Sequence, residues 1–342
     1  MSDVVAITIG DKQYSHFTSY SVSSGIYTAA GTFSITFPEK AAPEITTGKK
    51  CVITVDGATV LTGIVERREK RGSKQTAEMI VGGRDLMGLV VDYHIETFKT
   101  LRNKKLVDVA EYFLRQIDFI KSVNITYLDG ADSLDIAQEY VQPVPGMKVF
   151  DLLSGIAAAR GMHFYLRSNG SLVFGKPRGF GSETFFVWNT GENNCNYTEK
   201  GFVEDISQQY SRVTVTGQKQ SDAFTGLKTI NGKATVDDDE FPQFTKPLVV
   251  ETQTAGETLS HQARMIIEQQ RFDGWSLRYV LPGHSQKGNI WQPDTICAVD
   301  DYTIPYRGEC LLYSRSFNMN KNSDGEAEKS TEIILGKMGL RV

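Results

Sequence analysis

Short apolar runs, alternating or β-branched, fill the first 95 residues. "VVAITIG" at 4–10, "GTFSITF" at 31–37, "KCVITVDG" at 50–57, "VLTGIVE" at 60–66 and "AEMIVGG" at 77–83 each end on Gly, Asp, Glu or a break in pattern. This is the pattern of β-strands. Asp56-Gly57 is a two-residue hairpin signal, because glycine tolerates the positive φ the turn demands. Gly72-Ser73 marks the tip of a longer hairpin between 64–69 and 76–81. Short strands with closely spaced turns predict a small barrel or sandwich over residues 1–95.

The period changes after residue 95. Leu106, Val109, Phe113 and Ile117 recur at helical spacing in "NKKLVDVAEYFLRQIDF". A second helix is predicted in "PGMKVFDLLSGIAAARG", with Met147, Phe150, Leu153 and Ile156 inward and Gly161 as C-cap. "MHFYLRSNGSLVFGKP" reads as a hairpin turning at Asn169-Gly170. Residues 96–179 are therefore expected to form a small α/β domain with two helices and a hairpin. Strand patterns return over 180–217, in "ETFFVWN" and "FVEDISQQYSRVTVTG". Residues 218–255 are polar and weakly patterned. "GETLSHQARMIIEQQRF" predicts a third helix with Leu259, Ala263, Ile266 and Ile267 on one face, and strands run from 275 to 342.

Two of these strand pairs match. "TVLTGIVERREKRGSKQTAEMIVGG" at 59–83 and "IPYRGECLLYSRSFNMNKNSDGEAEKSTEIILG" at 304–336 share a glycine, an apolar strand, a long polar tip, then Glu, three apolar residues and Gly. Gly63 falls on Gly308, Asp56 on Asp301, and Glu78–Gly82 on Glu332–Gly336. "YSVSSGIYTAAGTFSITF" finds a weaker echo in "ISQQYSRVTVTG". The expected fold is β-rich α+β, with two related small β-barrel domains and α/β insertions. The first barrel is 1–95. The second is discontinuous, 180–217 plus 275–342, interrupted by an inserted segment at 218–274 that carries one helix. Two similar units in one chain suit a ring of three chains with near-sixfold symmetry.

Composition adds mostly exclusions. The chain has 342 residues, 40% hydrophobic and 23% charged, with a formal net charge of −4. That suits a globular protein of two or three cores and lacks the basic excess of a dedicated nucleic-acid binder. No signal peptide pattern and no apolar run long enough to cross a membrane is present. Cys51, Cys195, Cys297 and Cys310 show no C-x-x-C spacing, so a disulfide framework or zinc site is not expected and a reducing compartment fits.

Reactive patterns are equally sparse. "DDDE" at 237–240 lacks the alternating spacing of a Ca²⁺ loop and reads as a solvated acidic turn. The five histidines are scattered; Ser260-His261 and Asp273 define no triad, since triads are geometric. The exposed pair Glu204 and Asp205 has the chemistry of a glycosidase pair, but nothing in sequence shows burial that would split their pKa values. There is no G-x-S-x-G, H-E-x-x-H or P-loop. Neither catalytic residue, metal nor cofactor is expected. The hairpin tip Arg67, Arg68, Lys70, Arg71 and Lys74 is the candidate partner-contact site, with Glu66 and Glu69 offsetting much of its charge.

The ordered set "GTFSITFP", "GKKCVITVDGATVLTGIVE", "GGRDLMGLVVD", "KVFDLLSGIAAARGMHFYLRSNGSLVFGKP" and "YSRVTVTGQ" resembles the baseplate hub proteins of Mu-like contractile-tailed phages, the 43-kDa tail protein family. That family is related in architecture to myophage hubs and to the N-terminal part of type VI secretion spikes. The resemblance spans essentially the whole chain, least well over 218–255. It implies a non-enzymatic virion protein of the tail baseplate, assembled in the host cytoplasm. It further implies a homotrimeric ring joining the tail tube protein to the central spike protein, touching baseplate wedge proteins. Viral DNA would pass through without specific binding, and there would be no stable membrane insertion. The N-terminal module of a type VI secretion-like spike is the near alternative, disfavoured because Val342 closely follows the second barrel with no β-helix after it. A tail-associated peptidoglycan hydrolase is the enzymatic alternative.

Overall fold

A computed structural model describes residues 3–38, 45–72, 77–128, 138–158, 160–177, 179, 184–191, 194–219, 230–241, 244–252, 258–321 and 326–337. The first seven strands are β1 Val5–Ile9, β2 Lys12–Tyr14, β3 Ser19–Gly25, β4 Thr32–Pro38, β5 Lys50–Val55, β6 Ala58–Gly72 and β7 Ala77–Asp85. They pair in the order β3-β4-β7-β6-β5-β1-β2. Inward alternation drives them: Phe33, Ile35 and Phe37 of β4 are buried while Thr32 and Ser34 face solvent. Asp56 (φ 47°) and Gly57 (φ 84°) both adopt the left-handed region, the two-residue turn read from sequence.

A helical unit follows, with α1 Met87–Asp92, β8 Leu101–Lys104, α2 Leu106–Leu114, β9 Ile125–Tyr127, β10 Gln138–Val141, α3 Val149–Ala158, β11 His163–Leu166 and β12 Leu172–Gly175. Its core joins Leu106, Val109, Phe113, Leu153, Phe164 and Phe174. On α3 the buried positions include Val149, Leu153 and Ile156, whereas Phe150 is only partly buried. Asp85 ties this unit to the first: Oδ2 accepts from Gly31 N at 2.6 Å and Oδ1 from Met87 N at 3.0 Å. Burial pushes its carboxyl up to about 7 in spite of these bonds.

The remaining elements are β13 Thr184–Asn189, β14 Glu199–Glu204, β15 Arg212–Lys219, β16 Ile230–Asp237, β17 Pro247–Thr252, α4 Thr258–Asp273, β18 Trp275–Pro282, β19 Ser285–Gln286, β20 Asn289–Ile290, β21 Thr295–Asp301, β22 Gly308–Lys321 and β23 Ala327–Lys337. Six of them pair in the order β14-β18-β23-β22-β21-β13. This repeats β3-β4-β7-β6-β5-β1, with antiparallel neighbours throughout except that β13 runs parallel to β21. Leu277, Tyr279 and Leu281 of β18 are buried in alternation as Phe33, Ile35 and Phe37 of β4 are.

Three expectations need correction. The two units are not separate barrels: β22 pairs with β3, so both lie in one 13-stranded sheet with a shared core, and no sheet closes among the described residues. The repeat is also shifted. Each copy carries a bulge, between Val65 and Arg67 in β6 and between Leu312 and Ser314 in β22, against β7 and β23 respectively. Aligning the bulges places Gly63 on Cys310 rather than Gly308, a displacement of two residues that preserves inside and outside and so hides in an apolar pattern. Finally, β15 does not join the second unit or echo β4. It pairs with β16 and β17 in a three-stranded sheet, and Val213 and Val215 pack on Leu259, Ala263 and Ile267 of α4. The counterparts of β3 and β4 are β14 and β18, with the β15–α4 segment inserted between them.

Candidate partner-contact surfaces

The basic tip belongs to the β6–β7 hairpin, where Arg67 faces Gly82, Arg68 Val81, Lys70 Met79 and Arg71 Glu78. Strand alternation splits the cations. Arg67 and Arg71 share a face with Glu69, which pairs with both; Arg71 Nε lies 2.5 Å from its Oε1. Arg71, and then Arg67, hold the Glu69 carboxyl below its usual range. Arg68 and Lys70 lie on the other face, level with the buried Val81 and Met79. Arg68 donates to Ile45 O at 2.8 Å, and Lys70 makes no ion pair among the described residues. Lys74 lies outside the described residues. Glu66, extruded by the bulge, binds Arg84 (Nη2 to Oε1 2.7 Å), which also grips Asp92. The tip is thus a surface compensated on the Glu69 face, while Arg68 and Lys70 on the other face make no ion pair among the described residues.

The seam between the units holds a polar network that sequence reasoning missed. Tyr20 Oη lies 2.6 Å from His284 Nε2, and His284 Nδ1 lies 3.2 Å from Thr331 Oγ1. Thr331 Oγ1 itself donates to Gly283 O. One tautomer satisfies every group: Tyr20 donates to Nε2, and Nδ1–H donates to Thr331. Asp3 accepts from His284 N (2.6 Å) and Ser285 Oγ (2.8 Å). Beneath lies Arg315, fully buried, donating to Val60 O at 2.9 Å and stacked 3.9 Å from the Phe317 ring. Burial pushes His284 down to about 4 and Arg315 down to about 9. The only sequence signal was an arginine among strand residues, "CLLYSRSF", which looks like an ordinary outward charge.

The other candidates do not converge. His261 and Asp273 lie on one helix, about 18 Å apart along its axis. His163 packs edge-on against Tyr27 at 4.8 Å, and burial pushes it down to about 4. The acidic run is held by arginines: Arg212 Nε lies 2.5 Å from Asp237, and Arg271 Nε 2.8 Å from Asp238. Glu204 and Asp205 are both exposed, at the end of β14. Among the described residues no three His, Cys, Asp or Glu side chains cluster to hold a metal ion, and no helix is long and apolar enough to cross a membrane.

Comparison with known proteins places this geometry. Residues 4–85 match the family described as Mu phage baseplate assembly protein GpP-like, N-terminal. The chain is 22% identical over 343 aligned positions to the baseplate hub protein gp44 of Escherichia phage Mu, covering 95% of this chain and 86% of that protein. A tail protein from Neisseria meningitidis MC58 superposes with a TM-score of 0.81 at 22% identity, over 100% of this chain and 98% of that one. The 43 kDa tail protein of prophage MuSo2 from Shewanella oneidensis does so with a TM-score of 0.80 at 19% identity, over 99% of each. The chain is thus similar in sequence to a Mu phage baseplate hub protein and shares its fold with Mu-like tail proteins.

Proposed function

We propose that this chain is a structural baseplate hub of a contractile phage or prophage tail. The observation that carries the reading is kinship with the Mu hub along 95% of the chain. The physical character agrees: a continuous sheet with a shared core makes a stiff scaffold, and Tyr20, His284 and Thr331 at its seam are hydrogen-bonded to one another. The hub works without catalysis, cofactor or metal.

In this reading the chain forms a homotrimeric ring, with the tail tube protein on one face and the central spike on the other, bordered by wedge proteins. DNA crosses the ring without specific binding. Four parts share the work: a first barrel-like unit (1–95), an α/β unit (96–179), a second barrel-like unit (180–211 with 275–342), and an inserted segment (212–274) that begins with β15. The tip residues Arg67, Arg68, Lys70, Arg71 and Lys74 are contact residues. The protein is assembled in the host cytoplasm and ends in the virion tail.

Co-expression with the tail genes of the same genome, followed by capture through a tag on this chain, tests the reading. Recovery of a tube protein and a spike protein supports it. A folded chain that recovers neither contradicts it.

A further inference from the structure

The second repeat copy holds two thiols that strand register sets face to face. Cys297 of β21 and Cys310 of β22 are direct partners across an antiparallel pair. Both are fully buried and both are free. Directly opposed residues of such a pair have Cα atoms about 4.5–5.5 Å apart and side chains on one face of the sheet. A disulfide needs a Cα separation of about 4.4–6.8 Å. The register therefore places the pair within reach of a disulfide. Their spacing along the chain carries no sign of this, because only the pairing of β21 with β22 brings them together. The other two cysteines face no thiol: Cys51 lies between Ile9 and Gly63, and Cys195 is bridged to Asn189.

The repeat makes the pair a feature of one copy. Aligning the bulges puts Gly63 on Cys310, and the β5–β6 and β21–β22 ladders then put Cys51 on Cys297. A thiol at position 63 is excluded, since a Cβ there would lie 2.2 Å from the Arg84 carbonyl oxygen of β7. The second copy has room for the side chain and sets Lys337 of β23 on the other side of Cys310. Access comes from the hairpin end. Residues 302–307 join β21 to β22, Tyr302 among them is exposed, and Val299 opposite Gly308 is the last rung of the ladder. Opening the few rungs between that loop and the pair uncovers both sulfurs. In the closed sheet burial pushes the Cys310 thiol up to about 12 and the Cys297 thiol upward as well, so neither is a nucleophile there. Oxidation therefore runs through the opened hairpin and is slow in the native state.

We propose that Cys297 and Cys310 form an oxidisable dithiol site, closed to an intramolecular disulfide by a small disulfide oxidant such as oxidised glutathione. The thiolate of one cysteine attacks the oxidant and releases one glutathione; the thiolate of the other then displaces the second. The protein loses two S–H bonds and gains one S–S bond. The oxidant's S–S bond breaks, and the two protons end on the two released glutathione thiols. The protein pair gives up two electrons and the oxidant takes them. The cross-link joins β21 to β22 just before the bulge after Leu312, beyond which β22 leaves β21 for β3. It pins the strand where it changes partners and restricts opening of the sheet from this end. The inference stands on the pairing alone and does not depend on the hub reading.

The test uses the full chain carrying Cys51→Ala and Cys195→Ala, so that only the pair remains, with the wild-type chain alongside. The reduced protein is incubated with oxidised glutathione at mildly alkaline pH, in urea below the unfolding transition, then alkylated and examined by intact mass and peptide mapping. The expected result is a loss of two hydrogens with no glutathione attached, a peptide that links positions 297 and 310, and two alkylatable thiols restored by dithiothreitol. The oxidised form should also unfold at a higher urea concentration than the reduced form. Adding Cys310→Ala should stop the reaction at a mixed disulfide on Cys297 and abolish the rise in the urea midpoint. Circular dichroism checks the fold of that variant, and Cys297→Ala gives the same control from the other strand. Thiols that remain alkylatable after the oxidant, or mixed disulfides that never resolve to the link, overturn the site. A link that forms but lowers the urea midpoint overturns the pinning of β22, because the disulfide would then be incompatible with the folded sheet.

Discussion

The Tyr20 hydroxyl lies 2.6 Å from Nε2 of His284, joining residues 264 positions apart in the sequence across the seam of the two repeated units. Around this bond, Asp3 accepts from the His284 backbone N–H, Thr331 meets Nδ1, and the Phe317 ring packs against both the imidazole and Arg315. The imidazole is held neutral: a second proton would replace the acceptor that Tyr20 needs. Burial opposes the charge, the nearby Arg315 and Lys329 add to this, and Asp3 only partly offsets them.

Acid sensitivity follows from that arrangement. The folded value is depressed to about 4 from 6.5, so the unfolded chain takes up a proton first as pH falls. Stability from this group is full above about pH 6.5 and is lost progressively toward pH 4, up to about 3 kcal/mol. Urea unfolding at a series of pH values measures it. His284→Gln should flatten the slope in that window by this amount.

Tyr20→Phe isolates the hydrogen bond. It keeps the ring against Phe17 (5.9 Å) and removes only the donor to Nε2. The imidazole acceptor is then buried without a partner, a loss of about 1–3 kcal/mol at pH 7.5. The His284 imidazole should titrate at a different pH in the variant, readable by NMR.

Arg315 separates charge from volume. Arg315→Ala leaves a cavity in a fully buried site and should cost about 3–4 kcal/mol. Arg315→Met fills most of that space and removes a desolvated charge that has only carbonyls and a ring for company, so it should recover the greater part of the loss. Chemical denaturation of the two variants side by side decides this.

Gly83→Ala addresses the bulge in the first copy. A Cβ at Gly83 would overlap the Ile64 carbonyl oxygen of the paired strand, a backbone atom that cannot swing aside. The variant should fail to accumulate as folded protein. Gly57→Ala, where the space is open and only the left-handed φ is at issue, should fold with a loss of about 1–2 kcal/mol.

The strands were legible because one face of each is buried: the alternation of Phe33, Ile35 and Phe37, and of Leu277, Tyr279 and Leu281, is written directly in the chain. The helices at 106–114, 149–158 and 258–273 were legible from their period, although the six-residue α1 is too short to show one. Partner choice was not legible. Nothing local tells β22 to leave β21 for β3, or β15 to pack under α4, since both depend on which edges the rest of the fold leaves open. The bulges that set the true repeat register leave no mark in composition. At the candidate site the basic tip was visible, but its partition between the Glu69 face and the Arg68 face required the pairing with β7.

The most direct test of the account is the molar mass of the purified chain in solution, by light scattering coupled to size exclusion, with the tube and spike proteins added in a second run. One chain is 38.0 kDa, and a closed ring of three is about 114 kDa. The account predicts the trimer mass, alone or on addition of those partners. A chain that elutes folded at the mass of one copy in both runs contradicts it.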